Sequence, residues 1–138
     1  MPRKYIKKRL NSFGYAFKGL GAAFWYEPNM KLHMVGAAEA IFLGWFFEIN
    51  NAQWCWIVLA IGMVWMAEIF NTAVEKLTDL VSPEYNKLAG RVKDLAAGAV
   101  LMAAITALVI GFLVFWPHIE ALPGYDAFMH KYFGFLNF

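Results

Sequence analysis

The chain has 138 residues, enough for one domain of a few helices. Hydrophobic residues make up 61% of it and charged residues 16%, a composition too apolar for an ordinary soluble domain and typical of a membrane protein. The single cysteine, Cys55, excludes a disulfide within the chain. The net charge of +2 is unevenly distributed, because seven of the twelve Lys and Arg residues (positions 3, 4, 7, 8, 9, 18 and 31) precede residue 32.

The first 29 residues are predicted to form an amphipathic helix that lies on the membrane surface. Apolar side chains recur at spacings of four and three residues, which is the period of one helix face. They are Ile6, Leu10, Phe13, Phe17, Leu20 and Phe24. Lys8, Tyr15 and Lys18 lie on the opposite side, so the basic face would meet lipid phosphates. Anchoring to anionic lipid explains this pattern without catalysis, and it is compatible with a nucleotide contact by the same polar stripe.

The central region, residues 30–116, is predicted to be all-α and to cross the membrane three times. About 20 apolar residues are needed to cross a hydrocarbon core. The spans are expected at about residues 30–49, 52–81 and 87–116. The second of these is apolar only as far as Ala67, after which it continues as a helix with a polar stripe.

The ends of the third span carry recognisable signals. Ser82 followed by Pro83 is typical of a helix start, with serine as the N-cap and proline in the first turn. Pro117 is expected to end the same helix. The tail, residues 117–138, is rich in Tyr and Phe, and we expect it at the membrane interface.

The orientation in the membrane follows from the basic residues. They are concentrated in the N-terminal arm and in the connection 76–93, whereas the linker Asn50-Asn51 has none and the tail has only Lys131. Because basic loops stay on the cytoplasmic side, the N-terminus is predicted to be cytoplasmic and the C-terminus to lie outside.

The most informative feature is a polar stripe at the end of the second predicted span. At about 100° per residue, positions 68, 71, 75 and 79 fall on one helix face about 80° wide. They hold Glu68, Asn71, Glu75 and Asp79, and the preceding residues 52–67 are almost wholly apolar. Ionisable groups at this depth in a membrane are costly, so the stripe indicates a functional site.

The predicted topology brings Glu27, Lys93 and Asp94 to the same cytoplasmic interface. Carboxylates close together repel one another unless a cation joins them, and Mg²⁺ binds one or two carboxylates together with substrate phosphates. Lys93 suits a polyphosphate, and a desolvated carboxylate at Glu68 suits a general base that meets a lipid hydroxyl. The pattern therefore favours phosphoryl transfer at a membrane surface.

Structural roles account for parts of the same pattern. Asp79 fits an ordinary solvated residue near a turn. Lys93 and Asp94 could simply be charged residues at the start of a helix, and Asn71 could form a hydrogen bond to a neighbouring helix. His33 fits a residue of the membrane interface better than a ligand.

Two other classes of protein remain open on the residues alone. A small ion or proton transporter also uses intramembrane carboxylates, and Glu39, near the middle of the first span, fits that function. A scaffold subunit is the second alternative. The sequence has no spacing typical of zinc, no P-loop and no Ser-His-Asp pattern, and nothing in it indicates a nucleic acid partner.

Several segments closely resemble the prokaryotic diacylglycerol kinase family, which includes the undecaprenol kinases. The resemblance covers about residues 8 to 116. Its motifs are Gly14-Tyr15-Ala16-Phe17-Lys18-Gly19-Leu20, Glu27-Pro28-Asn29-Met30-Lys31-x-His33, Glu68-x-x-Asn71-Thr72-Ala73-x-Glu75-x-x-x-Asp79 and Gly90-Arg91-Val92-Lys93-Asp94. It implies a homotrimer in the bacterial inner membrane, in which each subunit has a surface helix and three transmembrane helices, and the active sites are shared between subunits.

The resemblance also implies a role for each motif residue. Glu68 would be the general base, Asn71 a positioning residue in the catalytic site, and Glu27 and Glu75 the Mg²⁺ ligands. ATP would be the co-substrate. The residues expected near the nucleotide are Tyr15, Lys8, Arg9, Lys18, Asp79, Lys93 and Asp94.

The acceptor would be a membrane lipid alcohol. The stretches 28–33 and 82–85 look more like the undecaprenol kinase branch, so undecaprenol is slightly favoured over diacylglycerol. Asn86 departs from the family pattern, since many members carry His at that place. Glu39 matches no feature of the family.

Overall fold

The computed structural model describes residues 2–84, 86–125 and 131. These residues form four helices and no strand, which confirms the predicted all-α class. The helices are α1 (Pro2–Tyr26), α2 (Pro28–Phe46), α3 (Asn51–Val81) and α4 (Lys87–Glu120).

α1 packs against the other helices only near its C-terminal end. There Ala23 is buried, and the ring of Phe24 meets Trp65 of α3 edge-on with 4.9 Å between ring centroids. Earlier in the helix, Leu10, Phe13 and Phe17 are exposed. Among the described residues, much of the apolar face of α1 is therefore not covered by the other helices of the chain.

The bundle itself is built on α3 and α4, which make the most extensive helix–helix contact. Its apolar core joins Ile49 and Ile57 to Val114 and Phe115. Beside this core, α2 ends in a tight turn. In the last turn of α2, Gly44 lies so close to Trp54 of α3 that an added Cβ would come within 2.8 Å of the ring. This turn returns the chain directly into α3.

By length and apolarity, α3 and α4 could each cross a membrane. Among the described residues, α2 is not apolar enough to meet the same test, because Lys31, His33 and Glu39 interrupt its apolar sequence. The structure therefore has two helices with the properties of membrane spans, and the third crossing by α2 stays a prediction.

The third span is expected from about residue 87, where α4 begins, but the predicted N-cap at Ser82 with Pro83 in the first turn is wrong. Ser82 is instead the C-cap of α3, with its N–H donating to the carbonyl of Thr78 at 2.9 Å. α4 begins at Lys87, and Asn86 is its N-cap: the side-chain oxygen accepts hydrogen bonds from the N–H groups of Leu88 and Ala89. An asparagine side chain satisfies two of the free donors at a helix start, which explains why the helix begins there.

The predicted end of the third helix at Pro117 is also displaced. α4 continues through Pro117 to Glu120, and the carbonyl of Pro117 accepts from the N–H of Ala121 at 3.3 Å. Within the last turn a proline removes one donor without breaking the remaining bonds. Most of the aromatic tail, residues 126–130 and 132–138, lies outside the described residues.

Candidate active site

The first two residues of the polar stripe of α3 face the interior of the bundle. Glu68 and Asn71 are the buried polar residues of the described chain, with 2% and 3% of their surface exposed. They lie on one face because they are three positions apart in a regular helix. A buried carboxylate at the end of an apolar helix costs free energy unless it has a partner, so its retention points to chemistry.

The partner that the structure gives Glu68 is His33 of α2. Its Nε2 atom lies 3.9 Å from Oε2 of Glu68, and the two side chains are 18% and 3% exposed, respectively. This distance is too long for a direct hydrogen bond, and the two side chains form an ion pair only when His33 is protonated. The sequence favoured an interface role for His33, and helical periodicity could not indicate a contact between two helices.

Asn71 lies between Glu68 and the surface. Its Nδ2 donates to Oε1 of Glu75 at 3.0 Å, one turn further along α3. Its Oδ1 is buried and has no hydrogen-bond partner among the described residues. A buried acceptor without a donor is rare in folded proteins, so this oxygen is available for a donor that a ligand or water would bring.

Glu27 reaches the same turn of α3 from the junction between α1 and α2. Its carboxylate forms an ion pair with Lys76, the residue that follows Glu75. Glu27 adopts an extended backbone conformation, which separates the two helices, and Pro28 then starts α2. The structure thus brings Glu27 to Lys76, the neighbour of Glu75, and the shared metal site of Glu27 and Glu75 stays a prediction.

Asp79 and Lys93 connect α3 to α4 one turn beyond Glu75. Nζ of Lys93 forms an ion pair with Oδ1 of Asp79. Both side chains are substantially exposed, so this pair contributes little to stability. Asp94, the next residue of α4, is exposed. Asp79 and Lys93 are therefore positioned on the solvent side of the buried residues.

The predicted nucleotide residues of α1 are exposed. Lys8, Arg9, Tyr15 and Lys18 precede the contact between Phe24 and α3. The hydrogen bonds and ion pairs described above for the carboxylates come from α2, α3, α4 and the junction at Glu27. The contribution of these four side chains to the site stays a prediction.

An apolar groove of about 420 Å³ begins beside the buried pair and runs between α2, α3 and α4. His33 and Trp65 line it near the cluster, and Glu39 lines it further along. The indole Nε1 of Trp65 is buried without a partner among the described residues. The groove is therefore a largely apolar surface that opens next to the most deeply buried carboxylate.

Comparison with known proteins identifies the family. A sequence model of prokaryotic diacylglycerol kinases matches residues 14–115. The chain is 34% identical to the undecaprenol kinase of Bacillus subtilis (strain 168) over 121 residues, which are 85% of this chain and 98% of that enzyme. It is 29% identical to the diacylglycerol kinase of Escherichia coli (strain K12) over 109 residues, which are 79% and 89% of the two chains. The chain belongs to the prokaryotic diacylglycerol kinase family.

Family membership confirms the resemblance and makes the chain a membrane lipid kinase that uses ATP. The transporter and scaffold alternatives are thereby set aside. The matched range includes the clustered residues from Glu27 to Asp94 as well as Tyr15 and Lys18, whereas Lys8 and Arg9 precede it.

Proposed function

We propose that the chain transfers the γ-phosphate of Mg-ATP to the hydroxyl group of a membrane lipid alcohol at the cytoplasmic surface of the bacterial inner membrane. The observation that carries this proposal is the buried carboxylate of Glu68, on the face of α3 that also holds Asn71 and Glu75. A carboxylate withdrawn from water at the end of an apolar helix lies where a lipid hydroxyl meets the polar surface, and it suits a general base.

Glu27 and Glu75 would hold Mg²⁺. The ion pair of Glu27 with Lys76 supports this assignment, since Lys76 directly follows Glu75 in α3. The described residues contain no group of three or more His, Cys, Asp or Glu side chains suited to a metal. Mg²⁺ characteristically takes one or two carboxylates and completes its shell with phosphates and water, so two glutamates fit it. Bound Mg²⁺ supplies positive charge beside the phosphates that are being transferred.

Glu68 removes the proton of the lipid hydroxyl while the hydroxyl oxygen forms its bond to the γ-phosphorus. The bond between that phosphorus and the β–γ bridging oxygen breaks, and ADP leaves with the electron pair. Asn71 orients Glu75 through its Nδ2 and presents Oδ1 to a donor such as the lipid hydroxyl or a water. Positioning and electrostatics supply most of the rate in such reactions.

Lys93, Asp79 and Asp94 would contact the nucleotide at the solvent side of the carboxylates. Lys93 would exchange its ion pair with Asp79 for the ATP phosphates. Tyr15, Lys8, Arg9 and Lys18 of α1 would meet the nucleotide in a homotrimer with shared active sites. The exposure of these four side chains supports sharing, because a neighbouring subunit could approach them.

The proposed topology has α1 on the cytoplasmic surface and α2, α3 and α4 across the membrane. The exposed apolar face of α1 and the apolarity of α3 and α4 support it. An odd number of crossings places the C-terminus outside, consistent with the basic residues at the N-terminus. A trimer would shield the polar residues of α2 from lipid, which supports its crossing as the third span.

The acceptor is proposed to be undecaprenol, with diacylglycerol as the second candidate, since relatives with each activity match the chain. To test this, the purified protein receives ATP labelled in the γ-phosphate, Mg²⁺ and equal amounts of the two lipids. Label in undecaprenol alone is the expected result. Label in diacylglycerol alone would reverse the assignment, and comparable labelling of both would show that the site accepts any lipid alcohol that presents its hydroxyl at the interface.

A further inference from the structure

The burial of Glu68 raises a question that the proposed reaction does not answer: where the proton goes after each turnover. As general base, Glu68 becomes a neutral carboxylic acid when the lipid is phosphorylated. Its side chain is only 3% exposed, so bulk water does not reach it freely. The carboxylate must be regenerated before the next lipid binds, and this requires a nearby group that accepts protons and also contacts solvent.

His33 has both properties. Its Nε2 lies 3.9 Å from Oε2 of Glu68, and its side chain is 18% exposed. A neutral imidazole accepts a proton on one nitrogen while the other carries a hydrogen, so it can receive a proton from one side and lose one on the other. His33 belongs to α2 and Glu68 to α3, so the pair joins the two helices where the groove begins.

The other groups around the pair cannot take this role. Asn71 carries an amide, which does not titrate, and its Nδ2 already donates to Glu75. The residues that α4 contributes to the groove are Ala104, Ala107, Leu108, Gly111, Phe112 and Phe115, none of which is ionisable. The contact from α1 is made by Phe24, which is apolar. Glu39 of α2 lines the same groove six residues further on, and Glu27 is engaged with Lys76.

We propose that His33 is the proton-relay residue of the kinase. After Glu68 has taken the hydroxyl proton and the O–P bond has formed, the proton passes from Oε2 of Glu68 through one water to Nε2 of neutral His33, because the 3.9 Å between these atoms is too long for a direct hydrogen bond. The imidazolium then releases a proton to water, which restores neutral His33 and the Glu68 carboxylate. The cycle balances, because Glu68 and His33 return to their starting protonation states and the proton lost by the lipid is released to water. The inference rests on the proposed role of Glu68 as the base.

The relay predicts a loss of kcat without a loss of nucleotide binding. His33→Gln keeps a polar side chain of similar length but cannot carry a proton, and kcat should fall by about tenfold to a hundredfold, the lower part of the range for general acid–base catalysis. The KM for ATP should stay within about twofold, since His33 does not touch the nucleotide residues. His118→Gln is the matched control, because His118 bonds Gln53 at the opposite end of the bundle.

Chemical rescue separates a relay from a structural role. Imidazole added to His33→Ala should restore part of kcat, and at a fixed total concentration the rescue should increase with pH, because only the neutral base accepts a proton. The same imidazole should leave wild type and His118→Ala unchanged. Thermal unfolding of each variant in detergent shows whether the fold has survived.

Two results would overturn the relay: full kcat in His33→Gln, or a folded, slow His33→Ala protein that no concentration of imidazole rescues. Either result leaves the kinase reaction standing if Glu68→Gln is inactive in the same assay. A fully active Glu68→Gln protein would instead remove the base on which the relay depends.

Discussion

The two ends of the helix bundle treat their polar groups differently. At the distal end, residues 47–54 and 115–120, the polar side chains satisfy one another. Asn50 and Gln53 form a capping box with two hydrogen bonds of 3.0 Å, and Nε2 of Gln53 lies 3.1 Å from Nε2 of His118. The ring of Phe47 stacks on His118 with centroids 5.7 Å apart. Polar and apolar contacts there close the turn between α2 and α3 onto the end of α4.

The site end is the opposite one. It comprises Glu27, His33, residues 68–79 and Lys93. Here Glu68 is buried 3.9 Å from the imidazole of His33, and Oδ1 of Asn71 is buried with no partner among the described residues. The same three helices thus end in a satisfied polar cluster on one side and an unsatisfied one on the other.

This difference indicates which end of the bundle contains the active site. A buried polar group without a partner costs free energy, and a chain retains it where a ligand or a reaction supplies the missing interaction. Substitutions at the site end should therefore change turnover and leave stability nearly intact. Substitutions at the distal end should change stability and leave turnover nearly intact.

The largest effect is expected from Glu68→Gln. Loss of the proposed base should lower kcat by about 10²–10⁴-fold, the usual contribution of general acid–base catalysis, while ATP binding remains. Thermal stability should not fall, because the change removes a buried charge. Transfer of labelled phosphate and a nucleotide titration measure the two quantities. Glu84→Gln, at an exposed position in the turn after α3, is the control and should keep full activity.

Glu75→Gln should act on the metal. If Glu75 binds Mg²⁺, its replacement should raise the Mg²⁺ concentration for half-maximal rate by at least about tenfold. Even the replacement of a residue that only orients a metal ligand typically lowers metal affinity by about this factor. The amide can still accept a hydrogen bond from Asn71, so the fold should persist. Glu120→Gln at the distal end is the matched control. An unchanged Mg²⁺ dependence in Glu75→Gln would argue against ligation by this residue.

A smaller effect in the opposite direction is expected from Lys76→Ala. The ion pair with Lys76 must be released or rearranged when Glu27 binds a metal, so removing the lysine should lower the Mg²⁺ requirement. Because exposed ion pairs contribute about 0.2–1 kcal/mol, the decrease should be less than about fivefold. Lys87→Ala, at the exposed start of α4, should leave the Mg²⁺ titration unchanged. A raised requirement would indicate that Lys76 helps to bind the phosphates instead.

At the site end, the sequence predicted the arrangement of residues within one helix but not the contacts between helices. Glu68, Asn71 and Glu75 share a face because the helical period is fixed, and this holds whatever α3 packs against. The pairing of Glu68 with His33 depends on how α2 crosses α3, which the pattern within either helix does not determine. The contribution of α1 to the site stays a prediction, because its position relative to the carboxylates depends on the backbone at the junction at Glu27 and not on the pattern within α1.

Helix ends were harder to predict than helix faces. Ser82 and Asn86 are both good N-cap residues, and the competition between them is decided by the geometry of the intervening turn. The structure selects Asn86, whose side chain accepts from two N–H groups. This gives a physical function to Asn86, which departs from the pattern expected from the family resemblance: its side chain caps α4.

The smallest functional effect, and the one that completes the comparison, is expected from Asn50→Ala. The substitution removes the hydrogen bond that Oδ1 of Asn50 accepts from the N–H of Gln53, and it leaves the backbone N–H of residue 50 able to donate to Oε1 of Gln53. Loss of an N-cap costs about 1 kcal/mol, so Tm in detergent should fall by a few degrees. The kcat and the Mg²⁺ dependence should stay at wild-type values, since α3 keeps its position at the site end. A marked loss of turnover with an unchanged Tm would mean that the two ends are coupled through α3 and that the division between a structural end and a chemical end is wrong.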